Sequence, residues 1–63
     1  MKVADLVVRN KRFFVITTLD VSSEYQTASL VEVNPDAPEE HLNIDTTPIL
    51  ISMKDLQVNY KKV

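Results

Sequence analysis

His41 is the only histidine in the chain, and it stands among carboxylates: Glu39 and Glu40 precede it, with Asp36 and Asp45 close by on either side. An imidazole among carboxylates is the donor set of a divalent-cation site or of a general acid–base pair. The spacing argues against both. Neighbouring residues of a loop or strand point apart, and no His-x-x-x-His or His-x-Glu pattern brings two donors to one face, so the cluster reads as a solvated acidic loop. Ser22 and Ser23 are the other nucleophiles to weigh, in a loop with no base near them in sequence. The chain has no glycine, which removes the usual phosphate-cradling loop and nucleophile elbow. It has no cysteine, which removes disulfides and thiolate metal sites. The expectation is a protein without catalytic activity, cofactor or metal.

The stretch "RNKRFFVI", residues 9–16, carries a different chemistry. Arg9, Lys11 and Arg12 surround an asparagine, and Phe13 and Phe14 open an apolar run. Side chains alternate across a strand, so Phe13, Val15, Thr17 and Leu19 are expected on one face and Phe14, Ile16 and Thr18 on the other. Both faces begin apolar. The run therefore predicts one ring in the core and a second on a face that a small domain has too little material to cover. Phe13, Phe14 and Val15, with Tyr25 and Tyr60 as half-buried aromatics, become the candidate partner-binding residues, the partner being another protein or a second copy. Arg9, Lys11 and Arg12 could instead join Lys61 and Lys62 as one basic edge for nucleic acid. The mark of that alternative is an affinity that falls steeply with salt. Against it stands the net charge of −2 and the pI near 5.

The elements that must position these residues are strands. Apolar residues come in dense β-branched runs or in alternation, and helical periodicity is hard to find. Strands are expected over Ala4 to Arg9, Phe13 to Leu19, Gln26 to Val33, part of Leu42 to Ile51, and Val58 to Val63. Asn10 and Lys11 suit a two-residue hairpin turn. "NPDAPEE", residues 34–40, is the strongest breaker, with room for one helical turn. Pro48 cannot donate to a ladder, so the fourth run is either an edge strand or broken there, and a break is the favoured reading. "SMKDL", residues 52–56, reads as a short 3-10 turn with the Ser52 hydroxyl at its start. The change of phase at Leu30 and Val31 predicts a bulge or kink in the third strand.

At 63 residues the chain makes one domain, 1–63, and folding at that size hides only about 60% of the unfolded surface. Self-association is one way to add stability. No apolar run is long enough to cross a membrane as a helix, and a soluble cytoplasmic protein is the expectation. Charge is uneven. Residues 21–45 hold Glu24, Glu32, Asp36, Glu39, Glu40 and Asp45 with no lysine or arginine, while both ends of the chain are net basic.

"KVADLVV", a hairpin and "FFVIT", then "TASLVEV" and "ILISMKDLQV" together resemble the small SH3-like β-barrels, including short proteins of bacterial phages and mobile elements. Such barrels often open with Val-Gly-Asp-x-Val and close with a 3-10 turn of Asp-Leu type before a short last strand. Here Ala4 stands at the glycine position, which sets the chain apart from the nucleic-acid-binding KOW class. The resemblance implies an all-β fold, a five-stranded SH3-like barrel or a tight two-layer β structure with a 3-10 turn before the last strand. It implies function through binding rather than reaction: a small interaction module that self-associates or docks a protein.

Overall fold

The computed structural model describes residues 1–22, 24–42 and 47–63, with His41 and Leu42 described by backbone alone. Five strands form one antiparallel sheet: β1 (Leu6–Arg9), β2 (Arg12–Asp20), β3 (Thr27–Val33), β4 (Ile49–Ser52) and β5 (Lys61–Lys62). A 3-10 turn (Pro38–Leu42) and a short helix, α1 (Met53–Asn59), complete it. The strand order is β4-β3-β2-β1-β5. Among the described residues the sheet is open, with β4 and β5 as its edges.

Local chemistry explains the turns. Asn10 and Lys11 both take positive φ (52° and 65°), and Arg9 pairs with Arg12 across them, so β1 and β2 join through a two-residue hairpin turn whose twist suits the strands. Ala4 also takes positive φ, 77°, outside the extended range, and β1 begins at Leu6 rather than at Ala4 as expected. The Ala4 N–H still donates to the Ile16 carbonyl at 2.8 Å, and the Lys2 N–H donates to an Asp5 carboxylate oxygen at 2.9 Å. A left-handed conformation at an L-residue with a Cβ costs roughly 1–2 kcal/mol. Ala4→Gly is therefore expected to raise stability by about 1 kcal/mol, seen as a higher urea midpoint. An unchanged or lower midpoint would show that Ala4 carries no strain.

Register sorts the side chains into two faces. The pairs Val7↔Phe14, Ile16↔Leu30, Leu19↔Ala28 and Ala28↔Ile51 place these residues on one face. Leu56 of α1 and Tyr60 close over that face and make the core. Val7, Ile16, Leu30 and Leu56 are fully buried, each contributing about 1.5–3 kcal/mol of hydrophobic stabilisation. The pairs Leu6↔Val15↔Val31 and Val8↔Phe13↔Val33 line the opposite face, where the 3-10 turn packs against β3.

Three local expectations are corrected. The bulge lies in β2, not at Leu30–Val31: β2 advances from Ile16 to Thr18 while β3 moves from Leu30 to Ser29, which leaves Thr17 as the extra residue. Its hydroxyl donates to the Ser29 carbonyl at 3.2 Å. The bulge moves Leu19 to the face of Phe14 and Ile16, and β3 is apolar on both faces because one holds the core and the 3-10 turn packs against part of the other. "SMKDL" is not a 3-10 turn before a long strand but the start of α1. Ser52 is its N-cap and accepts from the Asp55 N–H at 3.0 Å, and the Asn59 side chain reaches back to Asp55 one turn later. Val58 thus lies on the exposed side of the helix, and the last strand shrinks to two residues.

Candidate interaction surface

The structure separates the two phenylalanines. Phe14 lies in the core with its ring edge-on to Tyr60, centroids 5.6 Å apart and planes at 77°. Tyr60 is 4% exposed, and Val15 is buried beneath the opposite face. These three residues, expected at a partner surface, are interior: Leu56 of α1 and the C-cap residue Tyr60 pack with Phe14 in the core, and Val15 lies on the side of the 3-10 turn. Phe13 is half-buried on that opposite face, and Tyr25 is 79% exposed just before β3. The five candidates do not converge on one patch.

What does form a patch is the row around Phe13. Leu6, Val8, Phe13 and Val33 are all half-buried, and Val63 is exposed beside Leu6, its N–H donating to the Leu6 carbonyl at 3.0 Å. Val15, Thr17 and Pro38, with Val3 and Ala4 of the N-terminal turn, line a groove of about 490 Å³ on the same side. Leu6, Val8 and Val33 were not singled out in the sequence, although the alternation in "LVV" and "VEV" was the available signal.

The basic residues are largely engaged at home. Arg9 lies 3.8 Å from the Asp55 carboxylate and 5.4 Å over the Tyr60 ring. Arg12 is 3.5 Å from Glu32, and Lys62 is 3.8 Å from the nearly buried Asp5. Partly exposed pairs of this kind stabilise by at most about 1 kcal/mol each, but they lower the local positive field. Lys11 and Lys61 are exposed and, among the described residues, have no ion-pair partner.

Of the groups weighed for chemistry, Ser23, Asp45 and the His41 side chain lie outside the described residues. Ser22 donates its hydroxyl to Asp20, which fixes a loop rather than activating an oxygen. Among the described residues no three His, Asp or Glu side chains gather as a metal site, and no helix is long and apolar enough to cross a membrane. Over the described residues the fold is thus a mostly β domain, one open antiparallel sheet with one short helix and a 3-10 turn. Compared with known proteins, the chain matches no family model, no curated protein and no solved structure.

Proposed function

We propose that this chain is a small non-enzymatic interaction module on an SH3-like plan that docks a protein against the sheet face carrying Phe13. The observation that carries the reading is the apolar row of Leu6, Val8, Phe13 and Val33, half-covered on a sheet whose other face already holds the core. A contiguous apolar surface of this kind on a small domain marks a contact site. Three features support the SH3-like plan: the meander order β4-β3-β2-β1-β5, the helical turn just before the last strand, and the positive φ of Ala4 at the family's glycine position.

The nucleic-acid reading has less support, because Arg9, Arg12 and Lys62 each sit within 4.0 Å of a carboxylate. The deciding experiment immobilises the protein and challenges it with a lysate of its source cells, beside Phe13→Ser. We expect a defined protein to be retained by the wild type and lost about tenfold or more by Phe13→Ser, a change of roughly 1.4 kcal/mol in binding. Retention of nothing, equal retention by both, or retention only of nucleic acid released by salt would overturn the reading.

A further inference from the structure

The sheet has two edges of opposite chemistry. β5 offers only Lys61 and Lys62, and a short charged edge resists pairing with another strand. β4, with Thr47 and Pro48 before it, carries no charge at all. Leu50 on it is 71% exposed, and it lines a groove of about 530 Å³ with Tyr25, Ser52 and Lys54.

The ladder phase shows which backbone groups this edge presents. The Met53 N–H donates to the Gln26 carbonyl at 3.0 Å, extending the β3–β4 register of Thr27↔Ser52, Ala28↔Ile51, Ser29↔Leu50 and Leu30↔Ile49. Hydrogen-bonded and non-hydrogen-bonded pairs alternate along an antiparallel ladder. Ile51 and Ile49 therefore turn their N–H and C=O groups towards β3, and Leu50 and Ser52 turn theirs away from the sheet. Among the described residues no strand pairs with that outer side.

We propose that the outer side of β4 pairs with β4 of a second copy, antiparallel, about a twofold axis at Leu50. In that register the two Leu50 residues exchange a pair of N–H···O=C bonds, and each Ser52 N–H meets the Pro48 carbonyl of the other copy. The fit extends to the groups that are missing. Pro48 has no N–H, and it would face the Ser52 carbonyl, which as the N-cap carbonyl accepts the first bond within α1. The lost donor thus opposes an acceptor already in use.

Side chains agree with this arrangement. Leu50 lies directly against Leu50 across the axis, as an isologous contact requires. Arg12 and Glu32 flank the Ile49 end of the strand, and Glu24 and Lys54 flank the Ser52 end. Each end thus carries one charge of each sign, so antiparallel pairing of unlike ends sets no run of like charge against another. By register Leu50 shares the face of Val31 and Val33, but it stands on β4, two strands away from Phe13 on β2, so the two surfaces can be tested separately.

The test is sedimentation equilibrium of the full chain with amide hydrogen exchange over the same concentration series. We expect a monomer–dimer equilibrium below about 1 mM, with protection of the Leu50 and Ser52 amides rising with concentration while Ile49 and Ile51 stay constant. Leu50→Pro removes the outward N–H and leaves the bonds to β3 in place, so it should weaken the dimer tenfold or more. Leu50→Lys, which keeps the backbone donor, should weaken it likewise by placing two ammonium groups at the axis. A wild-type chain monomeric throughout, a dimer indifferent to both Leu50 variants, or a strand of another protein on β4 of a monomeric chain would overturn the proposal. If Phe13→Ser breaks the dimer and the Leu50 variants do not, self-association uses the face and the edge proposal falls while the interaction reading stands.

Discussion

Phe14→Ala should leave the chain largely unfolded at 25 °C, whereas Phe13→Ser, one residue away, should leave it folded. Phe14 is packed among Val7, Ile16, Leu30, Leu56 and Tyr60, with its edge-to-face partner at 5.6 Å. Removing a core phenylalanine costs about 3–5 kcal/mol, because the lost burial is joined by a cavity that neighbours cannot fill. A chain of 63 residues has a total stability of roughly 3–9 kcal/mol at about 0.05–0.15 kcal/mol per residue. The loss is thus comparable to the whole margin. Phe13 is half-buried on the other face, and its truncation deletes contact area that water already reaches in part. Urea unfolding followed by circular dichroism reads the difference directly. The wild type and Phe13→Ser should show cooperative transitions, and Phe14→Ala little or no folded baseline. If the two variants lost similar stability, the assignment of core and contact face to these neighbouring rings would be wrong.

That contrast also shows what could be read from the sequence. Alternation in "FFVI" was enough to place the two rings on opposite faces, and the pairing of Asn10 and Lys11 between polar-flanked apolar runs was enough to locate the first hairpin. Local signals of this sort survive because they depend on the backbone period and on which residues tolerate positive φ. The bulge at Thr17 left no such signal. Threonine is at home anywhere in a strand, and the two-sided apolarity of β3 imitated a kink that is not there. The interior position of Tyr60 was hidden for a related reason. Its burial depends on α1 turning the chain so that the residue after Asn59 falls over Phe14, which is a property of the helix's length and not of the residue. The β4 edge was half-legible, because a proline that cannot donate to a ladder fits an edge strand as well as a break, and only the strand order puts β4 at the edge, starting just after Pro48.

Leu56→Ala is the second variant with a large expected effect, and it acts through a chain of dependence. α1 spans seven residues, Met53–Asn59, too few to hold helical structure in water without tertiary contacts. Leu56 is its one buried residue, fully enclosed in the core cluster, while Gln57, Val58 and Asn59 face solvent. The Ser52 cap contributes about 0.5–2 kcal/mol, and it closes only the first turn. Losing the Leu56 side chain costs about 2–5 kcal/mol by transfer and cavity terms. The consequence spreads beyond the site, because α1 delivers Tyr60 to Phe14 and Lys61–Lys62 to β1. We therefore expect more than a lower urea midpoint. Amide exchange should show β5 and the Phe14–Tyr60 region opening together at low denaturant, while the β2–β3 ladder, the longest in the sheet, opens last. Leu56→Met, which nearly conserves volume, should cost less than about 1.5 kcal/mol and keep the opening order. Should Leu56→Ala leave the β5 amides as protected as in the wild type, the helix would not be the element that holds the last strand on the sheet.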